Sequence, residues 1–308
     1  MTSASRSRLI VVLGMHRSGT SATTNLLNAF GVPLSDDLME PTVFNAKGYF
    51  ESKEISRIQD AILQTMGMTW QTSALFVPFP SNWWRSVAVQ EYKNQLAEIV
   101  RSELTRNNGL WGFKDPRTAR LLPVWMELVE EQHIDASFVL ATRHPVDVAK
   151  SLFSREQVDP LLSELLWLEH NADAVLAAGE RIAAVVDYDA WMMNGAAQAR
   201  YMLDALGLGN AHSEDDIARI VGSVISSDLA HHRTVNAASK LPFTMPMYDA
   251  LLKKDVARAS QIAGVFNVSR GFSHVVITHA IDGLRRENKE LRQLAAAQQA
   301  QLARQEPA

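Results

Sequence analysis

The chain predicts an α/β fold, a three-layer arrangement with a central parallel sheet flanked by helices and a further C-terminal helix. Two observations carry that expectation. Leu9 to Leu13 is a run of five apolar, largely β-branched residues without alternation, the pattern of a strand buried on both faces. Further short apolar runs at Leu110–Phe113, Ala136–Thr142 and Ile182–Val186 are separated by long segments of helical spacing, which is the strand–helix alternation of a parallel sheet.

Composition bounds the function. With 308 residues and 47% hydrophobic content the chain can bury a large core. Thirty basic against 34 acidic residues leave a net charge of −4, so no basic surface for nucleic acid covers the molecule and its cations must act locally. There is no cysteine, hence no thiol nucleophile or cysteine-based zinc site. No run of 18 apolar residues is present and Met1–Arg8 is polar, from which we expect no signal peptide, no membrane span and a cytoplasmic enzyme.

The first strand runs into Gly14-Met15-His16-Arg17-Ser18-Gly19-Thr20-Ser21, and Ala22–Phe30 has a helical face at Leu26, Leu27 and Phe30. Strand, glycine loop and helix together form a phosphate cradle of P-loop type, in which glycines admit close approach of backbone amides and the helix N-terminus adds partial positive charge. Thr20 stands where nucleotide kinases and ATPases carry lysine; the cation sits earlier, at Arg17. In this the loop resembles the R-S-G-T loop of PAPS-dependent sulfotransferases, PAPS being 3′-phosphoadenosine 5′-phosphosulfate. The resemblance implies that Arg17, Ser18, Gly19, Thr20 and Ser21 hold the 5′-phosphosulfate.

The resemblance continues along the chain. Asn45-Ala46-Lys47-Gly48-Tyr49-Phe50-Glu51 is similar to an N-x-x-G-Y-F-E segment of bacterial sulfotransferases. Glu51 reads as the first residue of a helix through Met66, where an acid suits the dipole; the family implies a general base. Lys114-Asp115-Pro116-Arg117 follows the second strand and is similar to the K-D-P segment of tyrosylprotein-type enzymes, whose lysine reaches the reacting centre. Asp115 is the alternative base, or orients Lys114 or Arg17. Arg143, at the exit of the third strand, and Ser151, in the helix entered through Pro145, resemble the R-x7-S 3′-phosphate site, where a guanidinium binds phosphate bidentately and a hydroxyl adds a donor. A late basic residue, Arg233, is assigned to the nucleotide by family habit. His231 and His232 form no metal site by spacing.

Between these motifs, Met66–Arg85 is an aromatic loop with Trp70, Phe76, Phe79, Trp83 and Trp84, read as core packing or as the wall of an acceptor cleft. Helical spacing marks Val87–Asn107, Asp159–Gly179, Trp191–Leu206, Glu214–Ile225 and Leu251–Ile262, with Tyr188-Asp189 closing the fourth strand. From Ile281 a three–four spacing runs through Leu284, Asn288 and Leu291 to Leu302, a short heptad pattern compatible with a homodimeric coiled coil. The expected division is a sulfotransferase domain over 1–240, a helical extension over 241–279 and a C-terminal helix over 280–308.

Together the motifs imply two anion sites separated by a nucleoside. The expected reaction is metal-independent, in-line transfer of the sulfuryl group of PAPS to an acceptor hydroxyl, on a saccharide or glycolipid by family habit, releasing adenosine 3′,5′-bisphosphate. Glu51, Arg17 and Lys114 would be catalytic. Two other classes remain on the sequence alone: an unusual P-loop kinase, and a noncatalytic scaffold in which a degenerate nucleotide domain carries the coiled coil.

Overall fold

In the computed structural model, residues 7–42, 48–74, 79–225, 239–271, 289–291 and 293 are described. Arg233, His231, His232 and nearly all of the heptad segment lie outside them. The chain forms two compact units, Met1–Phe266 and Asn267–Ala308; the described residues of the second, 267–271, 289–291 and 293, are helical.

The first unit is built on strands β1 (Arg8–Leu13), β2 (Leu110–Lys114), β3 (Asp135–Thr142) and β4 (Ile182–Asp187). They form one parallel sheet in the order β2-β1-β3-β4. The unbroken apolar run of β1 is explained by two cores. Leu9, Val11 and Leu13 face one side and Ile10 and Val12 the other, every one at most 1% exposed, a burial worth about 2 kcal/mol per side chain. On the first side lie α2 (Lys53–Thr65), α3 (Val87–Arg106), α4 (Thr118–Glu131), α5 (Pro145–Glu156) and α6 (Pro160–Ala178); on the second lie α1 (Thr20–Ala29), α7 (Tyr188–Ala205) and α8 (Glu214–Val224). Helix α9 (Thr244–Leu252) and the helical residues 256–266 share the first core through Met247, Leu251, Ala259 and Phe266.

Three expectations are corrected. Glu51 does not open a helix: α2 begins at Lys53, and Ser52 is its N-cap, its hydroxyl accepting from the Ile55 amide at 3.2 Å. Tyr188 and Asp189 belong to the first turn of α7, because Asp187 caps that helix by accepting from the Ala190 amide at 3.0 Å. The segment Leu251–Ile262 is not one helix; α9 ends at Leu252 and a new helix starts at 256, separated by Lys254 with φ +58°.

Strand order positions the site. From β1 the chain moves to one edge, then crosses back to place β3 on the other side of β1, so the loops after β1 and β3 part in opposite directions and leave a crevice at the carboxyl ends of the strands. Helices α1, α4 and α5, which follow β1, β2 and β3, begin without a side-chain cap, leaving first-turn amides without an intrahelical acceptor. At the fourth exit Asp187 fills that role. The uncapped ends therefore gather around β1, between its two neighbours.

Candidate active site

A cleft of about 370 Å³ opens at these strand ends, lined by residues that include His16, Arg17, Thr20, Ser21, Glu51, Trp70, Lys114, Arg117 and Arg155. The loop after β1 reaches it through two left-handed residues, Arg17 (φ +68°) and Gly19 (φ +87°). At Gly19 a side chain is excluded twice over: a Cβ would lie 2.7 Å from Cδ2 of Tyr188, and the conformation itself favours glycine. The Ser18 hydroxyl is buried without a hydrogen-bond partner among the described residues, a donor fitted to an anion in the loop.

Arg17 donates from Nε to Ser151 Oγ at 2.9 Å. Arg143 Nη1 lies 3.5 Å from the Arg17 carbonyl, and its guanidinium stands 4.4 Å over the Tyr188 ring, a cation–π contact. The structure thus brings Arg17, Arg143 and Ser151 together, with Ser151 bonded to Arg17. Burial, then the neighbouring charges of Arg155 and Arg143, lowers the Arg17 pKa.

On the other side of the loop, register sets Lys114 opposite Val12. Its ammonium, 1% exposed as a side chain, donates to Glu51 Oε1 at 2.6 Å and to Ser21 Oγ at 3.1 Å. Ser21 in turn donates to the Tyr49 carbonyl at 3.2 Å, so α1, the Glu51 segment and β2 meet at one hydroxyl. Burial pushes the Glu51 carboxyl up, against the opposing pull of Lys114 and with added repulsion from Asp115.

Asp115 is engaged by Arg117 and Ser56. Both of its oxygens accept from Arg117 Nη1, at 2.9 and 2.8 Å, and it accepts also from the Arg117 amide at 2.9 Å and Ser56 Oγ at 2.6 Å. It therefore orients Arg117, not Lys114 or Arg17. Burial opposes the charge of Asp115, but Arg117 and the hydrogen bonds outweigh it and hold the carboxyl below its usual range. Arg117 also donates to Asp60 Oδ1 at 2.6 Å and lies 3.8 Å from Glu51 Oε2.

The aromatic loop divides between its two readings. Trp83 is core, whereas Trp70, packed on the edge of that core, also lines the cleft and meets His16 at a tilt of 32° with ring centroids 4.2 Å apart. Burial, then Arg117, His170, Lys114 and Arg155, holds His16 well below the ordinary imidazole range, and this wall of the cleft is an imidazole beside an indole. Arg117, His16, Tyr188 and Arg155 were not assigned from the sequence. Arg117 carried a signal, the Asp-x-Arg pairing at a strand exit; Tyr188 carried none, since its contact with Gly19 is made across the sheet.

Among the described residues no cluster of three His, Asp or Glu side chains is arranged to hold a metal ion, and no helix is long and apolar enough to cross a membrane.

A glycine loop leading into an uncapped helix, with a buried lysine–glutamate pair beside it, lines one cleft at the carboxyl ends of a parallel sheet. The chain belongs to the sulfotransferase family, whose model matches residues 10–212. Solved structures similar to it include the sulfotransferase domain of the olefin synthase of Synechococcus PCC 7002, with 18% identity over 86% of this chain and 96% of that one and a TM-score of 0.44. A sulfotransferase domain from the curacin biosynthetic pathway matches with 15% identity over 70% of this chain and 77% of that one, TM-score 0.40. Sulfotransferase STF1 from Mycobacterium tuberculosis H37Rv matches with 16% identity over 75% of each chain, TM-score 0.39. No curated protein matches the chain.

Proposed function

We propose that this sulfotransferase uses PAPS as donor and an acceptor hydroxyl, on a saccharide or glycolipid, as nucleophile, without a metal ion. The observation that carries the reading is the meeting of Arg17, Arg143 and Ser151 across the β1/β3 crevice, beside the Lys114–Glu51 pair. Arg17, Ser18, Gly19, Thr20 and Ser21 hold the 5′-phosphosulfate end; the uncapped amides of α1 and the unpartnered Ser18 hydroxyl fit an anion there. Arg143 and Ser151 hold the 3′-phosphate, joined by Arg233.

When bound, PAPS supplies a sulfuryl group to an oxygen nucleophile and leaves as adenosine 3′,5′-bisphosphate. Glu51 takes the proton of the acceptor hydroxyl at its carboxylate. Lys114 stands between that carboxylate and the anion loop, where its charge stabilises negative charge building on the leaving oxygen, and Arg17 shares this work from the opposite side of the loop. Trp70 offers an aromatic face to the acceptor. The functional division is that of a catalytic domain over 1–240, an extension over 241–279 and a dimerising helix over 280–308.

Calorimetric titration of adenosine 3′,5′-bisphosphate into the wild type and Arg143→Ala, with magnesium ATP as the control, tests this. Binding in the micromolar range, on the order of −8 kcal/mol, that weakens sharply in the variant is expected. No binding, or equal preference for magnesium ATP, overturns the reading.

A further inference from the structure

Arg117 has three carboxylates around it. Its Nη1 donates to both oxygens of Asp115, its Nε donates to Asp60 Oδ1 at 2.6 Å, and Nη1 lies 3.8 Å from Glu51 Oε2. Asp115 belongs to the turn after β2 and Asp60 to α2, so two elements fix the guanidinium. Its side chain is 10% exposed, in the wall of the cleft that Glu51 also lines.

This arrangement makes the two oxygens of Glu51 unlike. Oε1 accepts from Lys114 at 2.6 Å. The 3.8 Å from Oε2 to Arg117 is beyond hydrogen-bond reach, so Oε2 meets a positive charge without being tied up by it. Asp115 makes that charge necessary. It is 0% exposed, and two carboxylates sharing a buried space do not both ionise readily without a cation between them. Burial pushes the Glu51 carboxyl up most; Lys114 pulls it back, Asp115 raises it again and Arg117 lowers it. The cleft's other charged or titratable side chains are His16 and Arg17 after β1, Tyr49 before Glu51, and Arg155 and Glu156 on α5. Among the described residues, Glu51 forms ion pairs with Lys114 and Arg117 alone.

We propose that Arg117 is a positioning residue for proton transfer: held by Asp115 and Asp60, it sets its charge behind Glu51 Oε2, the oxygen that takes the proton of the acceptor hydroxyl. The inference rests on the base assigned to Glu51 under Proposed function. As the proton passes to Oε2, the acceptor oxygen bonds to sulfur and the bond from sulfur to the bridging oxygen breaks, its electron pair leaving with adenosine 3′,5′-bisphosphate. Arg117 itself gives and takes no proton.

The test is titration of Glu51 by carbon NMR in full-length protein isotopically labelled at the glutamate carboxyls. The resonance is assigned by its absence from Glu51→Gln, and thermal unfolding establishes that each variant is folded. Arg117→Gln alone would strand the Asp115 carboxylate, so the comparison is between Asp115→Asn and Asp115→Asn/Arg117→Gln. Loss of the guanidinium is expected to move the Glu51 titration upward by about 1–2 pH units. The acid limb of transfer from radiolabelled PAPS, to a hydroxyl acceptor used by the wild type, is expected to follow it. Coincident titrations in the two variants overturn the proposal, since a guanidinium that only packs would leave the carboxyl where it was. A loss of transfer in Asp115→Asn as large as in Glu51→Gln gives the proton to Asp115 and also overturns it. A Glu51→Gln protein that transfers at the wild-type rate, with the titration shifted as expected, overturns the base reading instead.

Discussion

Lys114 and Glu51 form a buried ion pair 2.6 Å long that joins the end of β2 to the segment before α2. Neither charge has solvent to fall back on, so each depends on the other. Lys114→Met is expected to destabilise the protein by about 3–5 kcal/mol, because it strands the carboxylate, whereas Lys114→Met/Glu51→Gln recovers most of that loss. Urea unfolding of the single and double variants measures the coupling; simple additivity of the two losses would show that the pair is not a structural unit.

Glu51→Gln keeps the shape of the side chain and removes its capacity to take a proton. Transfer from radiolabelled PAPS to a hydroxyl acceptor used by the wild type is expected to fall about 10²–10⁴-fold, with adenosine 3′,5′-bisphosphate still bound. In the wild type the base must be ionised, and burial raises its pKa above the usual 4.5. The acid limb of the rate profile is accordingly expected above the ordinary carboxylate range, and a wild-type limb at an unshifted carboxylate pKa would count against Glu51 as the base.

Gly19→Ala forces a methyl to within 2.7 Å of the Tyr188 ring and asks alanine to hold φ +87°. The expected cost is about 1–3 kcal/mol in stability together with loss of donor affinity. Adding Tyr188→Ala relieves the clash but not the dihedral strain, so thermal unfolding of the double variant should show partial recovery; full recovery would mean that the backbone conformation carries none of the penalty.

Asp187 has its carboxyl pushed up from 3.8 to about 6, chiefly by burial and further by Asp189, against the Ala190 amide that it caps. The folded protein therefore holds this proton more tightly than the unfolded chain. Stability from this group is present below about pH 4 and is lost as the pH rises to about 6, by at most about 3 kcal/mol. Asp187→Asn keeps the cap and should remove that slope; unfolding midpoints of the two proteins, measured between pH 4 and 7, should converge toward the acid end. Parallel curves would place the Asp187 pKa elsewhere.

The parts of the fold legible in the sequence were the locally determined ones. Leu9–Leu13 announced a doubly buried strand because both faces of β1 are core, and the glycine loop announced the cradle because its left-handed positions need Gly19. Helix α4 gave no comparable signal. Its buried residues include Thr118, Ala119 and Arg120 as well as Leu121, Leu122, Val124 and Trp125, and Pro123 stands inside it, which blurs the helical period. The site was legible where a motif named the residue and illegible where a contact crosses the sheet. Glu51 and Lys114 stand out in the sequence, but not their contact across 63 residues; Asp115 and Arg117 stand two apart, but the fold of the guanidinium back over the carboxylate depends on the turn after β2.

The approach of Tyr188 to Gly19 has a consequence for biosynthesis. The loop at the amino end of the chain is braced by a residue that follows the last strand of the sheet. A nascent chain that has emerged only as far as α5 has its glycine loop and Arg143 but not the ring that both lie against. The surroundings of this loop are thus finished late, after nearly two hundred residues have been made and the last strand of the sheet has followed the first.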